Sequence, residues 1–528
     1  MNNTSPALSL RGFMLCYHQM HDFLPWFGPN PAGLRYLLDA MAEARLNALL
    51  VEYETYFPWS GDNSRICAKD HLTEGEVAAF NEEASARGIE IIPLVQVLGH
   101  VYHILIHKEY KACAEDPDEL QQLCPLSTET FELAKALIDD TLRLHPGCRH
   151  LHIGGDECRM LGHCPRCEQF VRDHGVGRLF ASYMRKITDY VLSKGVIPIM
   201  WHDIAMNHPQ DLKELDPRVL FNFWHYGSAS HGDGAAEYAR LLKHLPASRV
   251  IGSPGARSEA GNGALHHIPS LEEANILQLN RMAADSGAIG TILTDWPDTG
   301  TPFYDSFFAL RMQGEAAWDG GRQTLLHFRH DYAAHVFGCD APEFPAMLDA
   351  IAGSTLAGRG FQFRNGNGLN RYDRRPFEFA GYARAIRDSH DSGEGTPMLY
   401  RQIGQLTAAQ RLAELVAEML PNCRRNRKEL EWYGLLARTT ELFLTIDIAL
   451  RKECFVTMAF GTPTPEQITR FESRAYARRA LELWDGVIDA FRLFHKDIAA
   501  AGPLERYCRE LFPAALKEGL ARFVVAGL

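Results

Sequence analysis

Two adjacent carboxylates, Asp156 and Glu157, end the segment HLHIGGDE at residues 150–157. Leu151 and Ile153 alternate with polar residues as in a short strand. Gly154-Gly155 let the backbone turn sharply just before the acids. On a regular strand neighbouring side chains point to opposite faces. Past the strand end that alternation relaxes, so both acids can converge on one pocket. Two carboxyls in one pocket repel as anions, so one pKa should rise and leave a protonated acid beside an ionised partner. That pairing is the equipment for acid-assisted cleavage of a glycosidic bond. The competing reading makes Asp156 the cap of a following helix and Glu157 a solvated neighbour.

The elements that must position these acids repeat along the first 320 residues. Apolar, strand-like runs at 12–17, 47–53, 89–96, 150–154, 196–201, 219–225, 250–253 and 290–294 alternate with helix-like stretches. Several of the runs are almost continuously apolar, as expected of parallel strands buried on both faces. Eight strand–helix units predict an α/β fold, a (β/α)8 TIM barrel over residues 1–322. Long insertions are expected after the second, third and seventh strands. From about residue 324 the strand signals vanish. Helical periodicity takes over, with long amphipathic helices at 406–419, 428–452 and 465–494. Residues 323–528 therefore read as a mostly α-helical C-terminal region packed on the barrel, which could also supply the surface of a homodimer.

Active sites of such barrels lie at the C-terminal ends of the strands. Those ends carry Gln19, Glu52, His100, Trp201, Trp224, Tyr226, Trp296 and Asp298 beside the two acids. A barrel interior prefers branched aliphatic side chains, so tryptophans at three separate tips suggest an aromatic-walled pocket. Apolar sugar faces stack on such walls, and carboxylates accept hydrogen bonds from hydroxyls. His18 and His202 read as structural groups rather than bases.

Composition narrows the function class. With 54 Lys and Arg against 66 Asp and Glu, the net charge of −12 argues against nucleic acid or an anionic membrane as the main partner. No run approaches the roughly 18 apolar residues that span a bilayer. The N-terminus lacks the basic and apolar regions of a signal peptide, which points to the cytoplasm. The 12 cysteines form no small-domain disulfide framework. Cys158, Cys164 and Cys167 lie close together, and Cys164-Pro-Arg-Cys167 is a C-x-x-C knuckle of the kind that binds zinc. The readings are a structural zinc or inert free thiols. No cofactor is expected to be needed for catalysis.

The segment from His152 through Asp156-Glu157 resembles the signature of the family 20 glycoside hydrolases, the β-N-acetylhexosaminidases. Together with LLVEYETYFPW at 49–59, IPLVQVLGH at 92–100 and Asp295-Trp296, it is most similar to the hexosaminidase D-like branch. The resemblance covers residues 11–320. It implies exo-acting, retaining, substrate-assisted hydrolysis of a terminal β-linked N-acetylhexosamine, an exception to the two-carboxylate schemes. The substrate's acetamido carbonyl would attack the anomeric carbon and form an oxazolinium intermediate. Glu157 would protonate the leaving oxygen and then deprotonate water, and Asp156 would orient the acetamido N–H and stabilise its developing charge. Trp201, Trp224 and Trp296 would wall the acetamido pocket and the sugar ring. Tyr226 would hold the acetamido oxygen, Asp298 would bind outer hydroxyls, and His100 would support the acids or the sugar. The first strand departs from the family pattern: Cys16 and Gln19 stand where an aspartate and a sugar-binding arginine are usual. Glu52 or Glu54 could take over the hydroxyl contacts, and the branch implies a preference for N-acetylgalactosamine over N-acetylglucosamine. The alternatives are a non-catalytic amino-sugar-binding barrel and a zinc-dependent hydrolase built on the cysteine knuckle.

Overall fold

A computed structural model describes residues 5–17, 30–226, 233–256, 269–296, 303–323, 325–352, 378–391, 395–460, 464, 467, 472–499 and 501–526. Eight parallel strands close into a barrel. They are β1 (Leu10–Cys16), β2 (Ala48–Glu52), β3 (Glu90–Leu94), β6 (His150–His152), β7 (Ile197–Trp201), β8 (Leu220–Trp224), β9 (Val250–Ser253) and β10 (Gly290–Leu293). The order around the barrel is β1-β10-β9-β8-β7-β6-β3-β2. Each of the eight apolar runs is therefore a barrel strand. A further antiparallel hairpin, β4 (Ala114–Asp116) and β5 (Glu119–Leu123), lies in the long insertion after β3. It escaped the sequence reading because ELQQL has no apolar alternation.

The strand residues sort by face. Met14, Leu50, Ile92, Ile199, Ile251 and Ile292 fill the barrel interior. Their neighbours Leu15, Val51, Ile91, Met200 and Phe221 pack outward against the helices. Burying each such side chain stabilises the fold by about 1.5–3 kcal/mol. Several of the helices that cover the barrel start at side-chain caps. Thr73 and Glu76 form a reciprocal capping box on the helix Glu74–Ala86, and Ser127 caps Thr128–Leu144.

The C-terminal region is helical, as its periodicity predicts. Gly395–Met419, Arg427–Phe460 and Ser473–His495 are its longest helices. Their buried faces belong to the same hydrophobic core as the outside of the barrel. A buried ion-pair network crosses between the two parts. Arg311, on the last barrel helix Phe307–Asp319, binds Glu429 at 2.8 Å and Glu43 at 3.0 Å, while the Tyr332 hydroxyl donates to Glu429 at 2.8 Å. No helix among the described residues is long and apolar enough to cross a membrane.

Candidate active site

The site is built at the tip of β6. Two glycines make its turn possible. Gly154 has φ of +65°, and a Cβ there would sit 1.9 Å from the Gln96 carboxamide oxygen. Gly99 passes so close to the loop that a Cβ would meet the Asp156 carbonyl oxygen at 2.6 Å. The chain therefore brings the tips of β3 and β6 into backbone contact. That contact places His100 against the acids. His100 Nε2 lies 3.4 Å from Asp156 Oδ2 and 3.5 Å from Glu157 Oε2. One imidazole nitrogen thus bridges both carboxylates, and the convergence expected of a relaxed strand end is realised.

Strain accompanies this arrangement. Three non-glycine residues with left-handed backbone, Glu54, His100 and Glu157 (φ +45°, +53° and +47°), stand just past the tips of β2, β3 and β6. Such conformations are uncommon for side chains of this size and collect at functional sites. Asp156 does not cap a helix. The next helix, Pro165–His174, is capped by Cys164, which removes the competing reading of that residue.

Charge is distributed unequally among the acids. Asp156 is buried, which pushes its carboxyl up, but the adjacent His100 and its own backbone N–H hold it below the ordinary carboxylate value. The carboxyl that does rise is Asp203, at the tip of β7. Burial and then the charge of Asp156 push it up to about 7, although its Oδ2 accepts the Glu157 N–H at 2.9 Å. Asp203 is not among the candidates that the strand ends offer by sequence. Its place directly after Trp201-His202 was the available signal. Glu157 is more open, with 39% of its side chain exposed, and its Oε1 accepts from Arg159 at 2.6 Å. Beneath the acids, His152 is fully buried and kept neutral: burial lowers it to about 3 against the pull of Asp156.

Aromatic rings flank the acids in a continuous run. Trp201 lies 6.0 Å from Trp296, whose indole N–H donates to the Tyr226 hydroxyl at 2.7 Å, and Tyr226 stacks on Trp224 at 5.4 Å. The structure thus brings all four together. Trp201 is completely buried and forms the floor rather than an open wall. Several buried polar atoms here have no hydrogen-bond partner among the described residues, including Asp156 Oδ1, Asp203 Oδ1, His152 Nε2 and Trp201 Nε1. A buried acceptor and a buried donor left unmade each cost about 1–3 kcal/mol. A ligand that offers an N–H to Asp156 Oδ1 or an oxygen to Trp201 Nε1 would relieve that cost.

The remaining candidates divide. Glu52 is buried at the tip of β2, with Gln96 donating to one oxygen at 2.9 Å and Cys16 to the other at 3.3 Å. Glu54 pairs with His103 at 3.4 Å. Gln19, His18 and Asp298 lie outside the described residues. Cys158 is not brought to Cys164 and Cys167. Its thiol is buried and donates to the Asp156 carbonyl at 3.3 Å. Cys164 and Cys167 instead meet Cys124 and Glu115.

The sequence of this site has relatives. The family model of the glycosyl hydrolase family 20 catalytic domain matches residues 32–240, which include both acids. Hexosaminidase D of Bos taurus is 30% identical over 282 residues, 50% of this chain and 78% of the relative. The chain belongs to glycoside hydrolase family 20. Hexosaminidase D of Homo sapiens is 33% identical over 265 residues, and the match spans 47% of this chain but only 54% of that relative's length. A family 20 relationship is consistent with the barrel. The chitobiase of Flavobacterium johnsoniae shares the fold with a TM-score of 0.52 at 14% identity, over 98% of this chain and 78% of that one.

Proposed function

We propose that this family 20 protein is an exo-acting β-N-acetylhexosaminidase that uses the substrate's own acetamido group as nucleophile. The observation that carries the reading is the buried, charged Asp156, whose Oδ1 has no hydrogen-bond partner among the described residues, as the buried indole N–H of Trp201 also has none. An N-acetyl group supplies both missing partners. Its N–H donates to Asp156, and its oxygen accepts from an aromatic-wall donor. Held this way, the acetamido carbonyl oxygen attacks the anomeric carbon as the bond to the leaving oxygen breaks, giving the cyclic oxazolinium. Asp156 stabilises the positive charge that develops on the amide nitrogen. Glu157, the more open acid, gives its proton to the leaving oxygen and takes one from the water that opens the ring. His100 holds the two carboxylates apart in role by binding both. Arg159 is exposed and must release Glu157 Oε1 before the acid can carry a proton there.

The same proposal extends to specificity. Cys16 and Glu52 occupy the first two strand tips, where the first strand lacks the sugar-binding arginine of the wider family. We assign the pocket to N-acetylgalactosamine ahead of its gluco epimer on the likeness to hexosaminidase D. Hydrolysis of p-nitrophenyl β-N-acetylgalactosaminide and its gluco epimer by wild type, Asp156→Asn and Glu157→Gln tests both parts. Turnover by wild type with both variants crippled supports the scheme, and the epimer ratio tests the preference. Binding of N-acetylhexosamine without turnover would instead make the barrel a sugar-binding module.

A further inference from the structure

We propose that Glu115, Cys124, Cys164 and Cys167 form a closed four-ligand site for one thiophilic divalent cation, zinc in the first instance. The four residues come from three places in the chain. Glu115 is on β4, Cys124 directly follows β5, and Cys164 and Cys167 cap and begin the helix Pro165–His174. One ligand atom from each lies within 4.8 Å of all the others. Cys124 Sγ is 3.6 Å from both Cys164 Sγ and Cys167 Sγ. In a tetrahedral site with zinc–sulfur bonds of about 2.3 Å, neighbouring sulfurs are roughly 3.8 Å apart. The thiols therefore already stand close to the spacing that a single ion imposes.

Glu115 supplies the second, independent observation. It is 1% exposed. Its Oε1 accepts from the Gly162 and Cys164 backbone N–H groups at 3.0 and 3.2 Å, whereas its Oε2 is buried with no hydrogen-bond partner among the described residues. A buried carboxylate oxygen facing three thiols is costly unless a cation completes it. The Cys167 N–H donates to Cys164 Sγ at 3.4 Å, as in a C-x-x-C knuckle that presents its first sulfur to a metal. The Arg166 guanidinium stands 3.9 Å from Cys124 Sγ and offsets part of the negative charge left when thiolates outnumber the ion's charge. A disulfide would use two of these cysteines and leave the third and Glu115 unexplained. Three sulfurs and one carboxylate favour zinc over magnesium or calcium, which prefer all-oxygen shells.

A full set of four protein ligands leaves no open position for substrate, so the role is structural. The ion would tie the insertion after β3 to the segment after β6. These are the two loops that meet at Gly99 and Asp156, and they are already joined by Met160 N–H to Gln122 Oε1 at 2.9 Å.

The test is metal analysis of the purified full-length protein, which needs no turnover. Elemental analysis should find about one zinc per chain, with every thiol of the cluster reduced in the denatured mass spectrum. Cys124→Ser and Cys164→Ser should lose the metal. Glu115→Gln, which keeps the shape and removes the charge, should surrender zinc faster to a competing chelator. Should the cysteine variants fail to fold, cobalt(II) loaded into the wild-type protein should show thiolate-to-metal charge-transfer bands and tetrahedral d–d bands. Metal-free wild type that gives no such bands with cobalt, or a cluster cysteine pair found oxidised, overturns the site. Glu115→Gln retaining zinc as wild type does would overturn the four-ligand set.

Discussion

Two charge clusters, each around a buried group, are built on opposite principles. At the barrel mouth Asp156 and Glu157 share one histidine with Asp203 close behind them, on backbone with left-handed residues and with buried polar atoms that lack partners among the described residues. Where the barrel meets the C-terminal helices, Arg311 binds Glu429 at 2.8 Å and Glu43 at 3.0 Å, and Tyr332 donates to Glu429 at 2.8 Å, all on regular helices. The second cluster satisfies its groups and holds two layers together. The first leaves groups unsatisfied, and a ligand can complete them. Sites that break the rules of stability are where function is expected.

The contrast can be broken most directly at Glu157. Glu157→Gln should lower kcat by about 10²–10⁴-fold, the usual worth of a positioned general acid, with the melting temperature unchanged. Asp156→Asn should cost a similar factor in kcat for acetamido substrates. Its effect on stability should be small, because the lost attraction to His100 is offset by relief of the repulsion with Asp203. The reverse pattern is expected at the other cluster. Glu429→Ala strands a buried guanidinium and should cost about 3–5 kcal/mol of stability while leaving kcat/KM of the surviving folded enzyme close to wild type. Urea unfolding beside steady-state kinetics checks both. If Glu429→Ala lost activity without losing stability, the division of labour between the clusters would fail.

The smallest effect sharpens the comparison through pH. The folded-state pKa of Asp203 is raised from 3.8 to about 7. Its contribution to stability is therefore fully present below the unfolded value of 3.8 and is lost as pH rises through about 7. Asp203→Asn keeps an acceptor for the Glu157 N–H and removes the titration. The variant should show a flatter stability profile between these values than wild type, measured as the urea midpoint against pH. An unchanged slope would mean that Asp203 is ionised throughout.

Much of this was legible in the sequence, for identifiable reasons. Strands buried on both faces write themselves as apolar runs, so all eight barrel strands could be read. Helix periodicity marked the C-terminal region. Gly154-Gly155 before two acids marked the turn. What the sequence hid depended on contacts between distant segments. The hairpin β4–β5 has no alternation, and its Glu115 and Cys124 lie 40 residues or more before the knuckle they join. Cys158 was grouped with Cys164 and Cys167 by nearness in the chain, yet its thiol packs under Asp156. The role of Asp203 is not legible in the sequence, because crowding by a neighbouring strand's carboxylate has no local signature.

The central claim is that the substrate's acetamido oxygen is the nucleophile, and one rate comparison addresses it. p-Nitrophenyl β-glycosides of N-acetylgalactosamine would be compared with their mono-, di- and trifluoroacetamido analogues, which are nearly isosteric but carry progressively less nucleophilic carbonyl oxygens. The account predicts that kcat/KM falls steeply and monotonically with fluorination for wild type. Rates indifferent to fluorination, with Asp156 or Glu157 trapped as a glycosyl ester, would contradict it and assign the nucleophile to the protein.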